Sequence, residues 1–179
     1  MKKEKKSFNL IISVLNNELK NTLKHIELFN KFKEKLEFDN SIFTIFPIEF
    51  YNNNENYYIL IAHQDEIILH LARIIDRHKD AKSLYDLLEL IKMNPYLFRD
   101  KDNEFVKEFI NNCKLELNKY NELIKKIRIL RDKKYAHLDR IYVYNKEKLY
   151  KSNSIKFEEI KNLIDVIRKI LDDIFLYSS

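Results

Sequence analysis

The chain has 179 residues, a formal net charge of +5, a single cysteine and no glycine. Ordinary proteins contain roughly 7% glycine, so its absence is unusual. Motifs that require glycine are excluded: the phosphate-binding P-loop, the dinucleotide-binding fingerprint, the EF-hand loop and the kinase glycine-rich loop. One cysteine also excludes an internal disulfide and any cysteine-based zinc cluster.

The composition predicts one all-α domain covering residues 1–179. Hydrophobic residues make up 45% of the chain and charged residues 34%, which is typical of amphipathic helices, and only two prolines interrupt the sequence. No apolar run approaches the roughly 18 residues of a membrane span. The lysine-rich start at residues 2–6 lacks the apolar segment that follows in a signal peptide. We therefore expect a cytoplasmic protein without a membrane partner.

The first predicted helix covers about residues 7–38, with Ser7 as its N-cap. Its apolar side chains recur at three- and four-residue steps, at Phe8, Ile12, Leu15, Leu19, Ile26, Phe29 and Leu36. The next segment, residues 42–58, is ambiguous: it could form a short strand, or Pro47 could open a helix. We expect a helix to resume near residue 55 and to continue to about residue 77.

Three further helices are predicted, at about residues 82–93, 103–135 and 154–177. The first should end at the Asn94-Pro95 pair, and it carries Leu84, Leu87, Leu88 and Ile91. The last has an apolar face formed by Phe157, Ile160, Ile164, Ile167, Leu171 and Ile174. Residues 139–153 are polar and aromatic. The sequence thus predicts a bundle of about five main helices, with a short irregular or β segment near residues 141–150.

One arginine breaks the apolar pattern of the helix predicted at 103–135. Alternating steps of four and three residues pass through apolar positions from Val106 to Ile127 and then reach Arg131. Burial of an unpaired guanidinium is costly, so Arg131 should reach solvent, pair with Asp132 or Asp139, or line a functional cleft. Cys113 lies on the same stripe and should be a small buried hydrophobe.

The positive charge of the chain is concentrated around this arginine. Residues 125–140 contain seven Lys or Arg and two Asp, so this segment alone carries the net charge of the whole chain. Such a concentration favours a polyanionic partner, although a solvated helix end with favourable cations is the alternative. Tyr135, Tyr142 and Tyr144 could stack on unpaired RNA bases.

Two stretches carry a resemblance to a known family. The sequence RDKKYAHLD at 131–139 resembles the signature of the HEPN superfamily, in which a polar residue follows an arginine and a histidine comes a few residues later. The sequence LARIIDRHKDAKSLYDLL at 71–88 resembles the abortive-infection U-type (AbiU-like) branch. The resemblance implies a helical bundle that forms a homodimer, and a metal-independent endoribonuclease that acts as a toxin or in phage defence.

The resemblance also implies the site. Arg131 and His137 would be the catalytic pair, supported by Asp132 and Asp139, and no cofactor or metal would be needed. Histidine suits proton transfer, and a fixed arginine suits stabilisation of developing phosphorane charge. The predicted RNA-binding residues are their neighbours in the basic segment: Lys125, Lys126, Arg128, Lys133, Lys134, Tyr135 and Arg140.

Helix geometry adds a condition to this prediction. Six residues rotate by about 240° along an α-helix, so Arg131 and His137 share a face only if the helix loosens near Tyr135 or a second protomer contributes. Asp139 stands where some toxin members carry a tyrosine that a nucleotidyltransferase modifies, so this regulation is not carried over. Asp139 could instead orient His137 or pair with Arg131 or Arg140.

Other interpretations remain open. His63, Glu66 and His70 share one helical face, but a metal site would need further ligands and the HExxH motif is absent; Glu66 and His70 could be an ordinary i,i+4 pair. His25 and His78 should be solvated or locally hydrogen-bonded. The alternative function is a non-catalytic module that binds nucleic acid or protein, with an antitoxin or a nucleotidyltransferase as its partner.

Overall fold

The computed structural model describes residues 2–37, 43, 55–78, 80–132, 148 and 151–178. Every regular element in these ranges is helical, which confirms the all-α prediction. The α-helices whose bounds lie within the described residues are α1 (Lys2–Lys35), α2 (Glu55–Ile74), α3 (Leu84–Met93), α4 (Asn103–Asn118), α5 (Asn121–Leu130) and α6 (Phe157–Ser178), and a short 3₁₀ helix covers Pro95–Leu97. The ambiguous segment at 42–58 lies largely outside the described residues, as does the segment at 141–150, where Lys148 is helical.

Apolar periodicity and capping explain where the best-predicted helices lie. The four leucine and isoleucine side chains expected on α3 are fully buried, and the six apolar side chains expected on α6 are at most 6% exposed. Ser83 caps α3, because its side chain accepts a hydrogen bond from the Asp86 amide. Asp102 caps α4 in the same way, with a 2.7 Å bond from the Phe105 amide to its carboxylate.

The start of α1 corrects the sequence-based boundary. The helix is already formed at Lys2 and runs to Lys35, so Ser7 is an interior residue and not an N-cap. Lysine has a good helix propensity, and a run of lysines therefore continues a helix instead of delimiting it.

The helix predicted at 103–135 is two helices. It breaks after Asn118, where the Lys119 and Tyr120 amides donate to Glu116 and Leu117 in tight i→i−3 turns. The apolar stripe nevertheless crosses the break, because Leu117 and Ile124 are both buried. No glycine or proline marks this point in the sequence.

The chain divides into two compact units, each made of segments that are distant in sequence. The first unit contains Met1–Leu19, Arg73–Asn121 and Asn162–Ser179. An aromatic cluster lies within it, in which the Tyr177 ring meets Phe105 and Phe109 edge-on at 5.1 Å and 5.5 Å. A single domain over residues 1–179 stays a prediction.

The second unit contains Lys20–Ala72 and Glu122–Lys161. Its core includes the rings of Phe29, Phe43 and Phe157, with centroids 5.3 Å and 5.9 Å from Phe29. The Lys33 ammonium lies 5.4 Å from the Phe157 ring centre, and this lysine is only 1% exposed. A buried ammonium is favoured by the negative faces of aromatic rings, so the cluster accommodates the charge of Lys33.

The described helices also bear on membrane association. None of them combines the length and the apolar character that a membrane span requires.

Candidate functional site

Helix α5 presents the basic residues at the start of the segment 125–140. Its buried side chains are Leu123, Ile124, Ile127 and Leu130, all at most 4% exposed. Between them, Lys125 is exposed, and Lys126 and Arg128 are half-buried. The apolar face therefore fixes α5 in the protein, and Lys125 and Arg128 are left toward the solvent side, where they could meet a polyanion.

Lys126 has a structural role that the sequence did not suggest. Its Nζ donates a 2.8 Å hydrogen bond to the carbonyl oxygen of Ser154, just before α6 begins. An ammonium has three donors, so this bond does not remove the charge from the surface. It does tie the side chain to the main chain, and Lys126 is therefore less available to reach toward a ligand than Lys125.

Arg131 lies at the edge of the apolar stripe and not in its centre. The buried stripe continues from Ile127 to Leu130, which is fully buried. The Arg131 side chain, one residue further, is 23% exposed. Its Nε donates a 2.7 Å hydrogen bond to Oδ1 of Asp132. Pairing with a carboxylate, one of the three outcomes expected for this arginine, is observed with Asp132.

The backbone changes geometry at the same point. Helix α5 ends at Leu130, and residues 131 and 132 continue as a π-helical turn, in which hydrogen bonds run from i to i+5. Short π-helical segments frequently lie at functional sites. The sequence predicts that Arg131 and His137 converge only if the helix loosens near Tyr135 or a second protomer contributes. The π-helical turn at residues 131–132 lies just before that point.

Several predicted site residues lie outside the described part of the chain. These are the catalytic candidate His137, its neighbour Asp139, and the RNA-binding candidates Lys133, Lys134, Tyr135 and Arg140. The convergence of Arg131 with His137 therefore stays a prediction. The described part of the candidate site consists of Arg131, Asp132 and the basic surface of α5, which is formed by Lys125 and Arg128.

A second group of polar side chains lies between α1 and α2. His25, which was expected to be solvated or locally bonded, instead contacts His63, and their Nδ1 atoms are 3.0 Å apart. Its ring centre also lies 5.6 Å from that of His70. His70 is 7% exposed and its Nε2 is 3.6 Å from the Glu66 carboxylate. The spacing of His63, Glu66 and His70 on α2 indicated these three residues, whereas no sequence signal pointed to His25, because 38 residues separate it from His63.

The surroundings of these histidines change their protonation. Burial lowers the pKa of His25 below its usual 6.5, an effect opposed by the nearby Glu66 carboxylate. Burial and the neighbouring His25 lower the pKa of His63 as well. Both imidazoles are therefore neutral near pH 7.

Two other predictions about single residues are confirmed. His78 is 66% exposed and its Nδ1 accepts a hydrogen bond from the Asp80 amide, as expected for a solvated, locally bonded histidine. Cys113 is 5% exposed in the apolar stripe of α4. Burial, with a smaller effect of Asp173, raises the pKa of its thiol to about 12.

Comparison with known protein families identifies the family of this chain. The model of the HEPN family AbiU2 matches residues 11–176, a range that includes both Arg131 and His137. No significant match was found among curated proteins or among solved structures. Because the family model covers most of the chain, the chain belongs to the AbiU2 family of HEPN domains and is a HEPN module of the abortive-infection type.

Proposed function

We propose that this AbiU2-family protein is a metal-independent endoribonuclease of a toxin or phage-defence system, with Arg131 and His137 as its catalytic pair at a dimer interface. The observation that carries the proposal is the state of Arg131. The side chain is half-buried, held by Asp132 at 2.7 Å, and placed where α5 passes into a π-helical turn. An arginine that is oriented but still accessible is suited to bind a phosphate group.

The chemistry requires two kinds of group. In metal-free cleavage the ribose 2′-oxygen attacks the adjacent phosphorus, and the bond from phosphorus to the 5′-oxygen breaks. His137 would move protons between the 2′-hydroxyl and the leaving 5′-oxygen. The Arg131 guanidinium would stabilise the charge that develops on the phosphorane oxygens. The products are then a 2′,3′-cyclic phosphate and a 5′-hydroxyl end.

The charge distribution supports an RNA substrate. Lys125 and Arg128 lie on α5 ahead of Arg131, outside the buried apolar face, and lysines 133 and 134 follow in the sequence. Phosphate contacts from such side chains position a nucleic acid without reading its sequence. The basic segment would therefore hold the RNA backbone while Arg131 and His137 act on one phosphate.

The dimer is part of the proposal. About 240° separates Arg131 from His137 on an ideal α-helix, and residues 131 and 132 already depart from α-helical geometry. A symmetric interface would bring the 131–137 segments of two protomers around one cleft, as C2 symmetry places the same patch of each subunit at the axis.

The proposal is tested with tag-free full-length protein and a structured RNA in EDTA. We expect cleavage that yields 2′,3′-cyclic phosphate ends, and no cleavage at a position where a 2′-deoxynucleotide replaces the ribonucleotide. Sedimentation measurements should give a dimer mass. Folded wild-type protein that leaves a diverse set of RNAs intact would contradict the catalytic assignment, and a strictly monomeric protein would contradict the shared site.

A second function is favoured by one observation. The Arg131–Asp132 ion pair lies within one protomer, as a non-catalytic module that uses this arginine structurally would require. Such a module would bind nucleic acid or a protein partner such as an antitoxin or a nucleotidyltransferase. It would bind RNA through the basic segment without cleaving it, and His137→Ala would leave binding unchanged.

A further inference from the structure

Helices α1 and α2 bring together four side chains that can bind metal ions. One ring nitrogen each of His25 and His70 and one carboxylate oxygen of Glu66 all lie within 4.8 Å of one another. His63 adjoins them, with its Nδ1 at 3.0 Å from Nδ1 of His25. Both helical segments belong to the same compact unit.

The spacing of these atoms is close to that of a metal site. Zinc binds imidazole nitrogen and carboxylate oxygen at roughly 2.0–2.2 Å in tetrahedral geometry, which places neighbouring ligand atoms about 3.3–3.6 Å apart. His70 Nε2 and the Glu66 carboxylate oxygen are already 3.6 Å apart. The ligand atoms of the cluster lie within 4.8 Å of one another. A side-chain movement of about 1 Å would therefore bring the His25 nitrogen to the same spacing.

The donor set indicates which ions would bind. Two imidazoles and one carboxylate favour zinc and related first-row transition metals over Mg²⁺ or Ca²⁺, which prefer oxygen ligands. We propose that His25, Glu66 and His70 bind one divalent transition-metal ion of the Zn²⁺ class, and that His63 orients His25 from outside the coordination shell. Three protein ligands leave a fourth position for water.

The short distance between His25 and His63 explains the positioning role. Two Nδ1 atoms 3.0 Å apart are at hydrogen-bonding distance, and a hydrogen bond between them requires one ring to donate and the other to accept. If His25 donates, its Nδ1 is protonated and its Nε2 carries the lone pair that binds a metal. Metal-binding histidines commonly donate their second ring N–H to a neighbouring acceptor, which fixes the tautomer and the ring orientation.

The placement of the cluster also favours metal binding. His70 is 7% exposed, so a metal bound there would be shielded from solvent on one side. An i,i+4 pair of Glu66 and His70 alone would be common on a helix surface; His25 from a different helix is what completes a ligand set.

The site is tested with tag-free full-length protein that has been treated with a chelator and dialysed. We expect calorimetric titration with ZnCl₂ to give one ion per chain, and CoCl₂ to produce visible d–d absorption bands in the same ratio. The thermal unfolding temperature should rise with Zn²⁺ concentration, because an ion that binds the folded state stabilises it.

Variants separate ligands from neighbours. Glu66→Gln preserves shape at a carboxylate whose side chain is 45% exposed, so it should fold normally, as circular dichroism would verify. We expect Glu66→Gln, His25→Gln and His70→Gln each to weaken Zn²⁺ binding by more than about 100-fold. The His63→Gln variant should weaken it by about 10- to 100-fold. The matched control is His78→Gln, on an exposed histidine outside the cluster, which should bind as wild type does.

Three results would overturn the proposal. Folded wild-type protein that binds neither Zn²⁺ nor Co²⁺ stoichiometrically would exclude the site. Unchanged affinity in folded Glu66→Gln would exclude the ligand set. A His63→Gln loss as large as that of His25→Gln would reject the positioning role and make His63 a ligand. None of these readouts involves RNA cleavage, so they are independent of the proposed ribonuclease activity.

Discussion

Nε of Arg131 donates a 2.7 Å hydrogen bond to Oδ1 of the next residue, Asp132. Consecutive residues of an α-helix point about 100° apart and do not face each other. The pair is formed where α5 has ended and the backbone has become π-helical. The ion pair between these consecutive residues thus coincides with the departure from α-helical geometry. Asp132 thereby restricts the orientation of the guanidinium that we propose contacts the RNA phosphate.

The first prediction concerns this restriction. Asp132→Asn should lower the rate of RNA cleavage about 10-fold, because a neutral amide holds the Arg131 guanidinium less firmly than a carboxylate. Stability should change by less than about 1 kcal/mol, as is usual for partly exposed ion pairs. The rate is measured under single-turnover conditions in EDTA.

The matched control for that variant is Asp165→Asn. Asp165 forms a longer and more exposed pair with Arg168, at 4.0 Å on α6, and its replacement removes one carboxylate away from the site and should leave cleavage unchanged. An Asp132→Asn protein as active as wild type would show that Asp132 does not position Arg131 for catalysis.

The second prediction concerns the basic surface of α5. Replacing Lys125 or Arg128 by Gln should weaken RNA binding and reduce the slope of log K against log salt by about 0.7 for each phosphate that the variant no longer neutralises. Lys126→Gln should have a smaller effect, since its Nζ is bonded to the Ser154 carbonyl. Fluorescence anisotropy at several NaCl concentrations gives both affinity and slope.

A charge on another helix serves as the reference for these measurements. Lys107 is exposed on α4, so Lys107→Gln removes the same charge outside the basic segment and should keep the wild-type slope. Equal decreases in affinity for Lys107→Gln and Lys125→Gln would mean that RNA responds to net charge and not to this surface.

The third prediction tests the apolar face that fixes α5. Ile127 is fully buried, so Ile127→Ala should lower the free energy of unfolding by about 2–5 kcal/mol through lost burial and the cavity left behind. Leu115 is 61% exposed on α4, and Leu115→Ala should change the free energy of unfolding by less than about 0.5 kcal/mol. Urea unfolding followed by circular dichroism measures both; similar values for the two variants would contradict the buried face of α5.

The fourth prediction uses the single cysteine. Burial raises the pKa of the Cys113 thiol to about 12, so almost no thiolate is present at pH 8, and the thiolate is the reactive form. Raising the pH toward 12 increases the thiolate fraction by about tenfold per pH unit, and lowering the pH decreases it in the same proportion. Ellman's reagent at pH 8 should modify the native protein at least about 100-fold more slowly than urea-unfolded protein. Comparable rates would show that Cys113 is accessible in the native state.

The helices that were predicted well are those whose signals are local. The four apolar residues of α3 mark its face, the Asn94-Pro95 pair marks its end, and the stripe of α6 repeats without interruption. The break after Asn118 was missed because the buried stripe continues through it and no glycine or proline signals it. Tertiary packing decides such a break, and periodicity does not detect it.

The same limit applies to the candidate sites. The sequence identified Arg131 as an exception to the apolar pattern and named Asp132 as a partner, because both are neighbours in the chain. The pairing of His25 with His63 joins two helices across 38 residues, and a single sequence contains no signal for it. The position of His137 relative to Arg131 stays a prediction of the family resemblance.

The most direct test of the proposed function is the cleavage rate of His137→Ala in EDTA, measured beside wild type, Arg131→Ala and His78→Ala. Loss of a general acid–base group should slow cleavage by about 10²- to 10⁴-fold, and loss of the Arg131 charge by about 10²- to 10³-fold, while His78→Ala, at an exposed loop histidine, should cleave as wild type does. A folded His137→Ala protein that cleaves RNA at the wild-type rate would contradict the account.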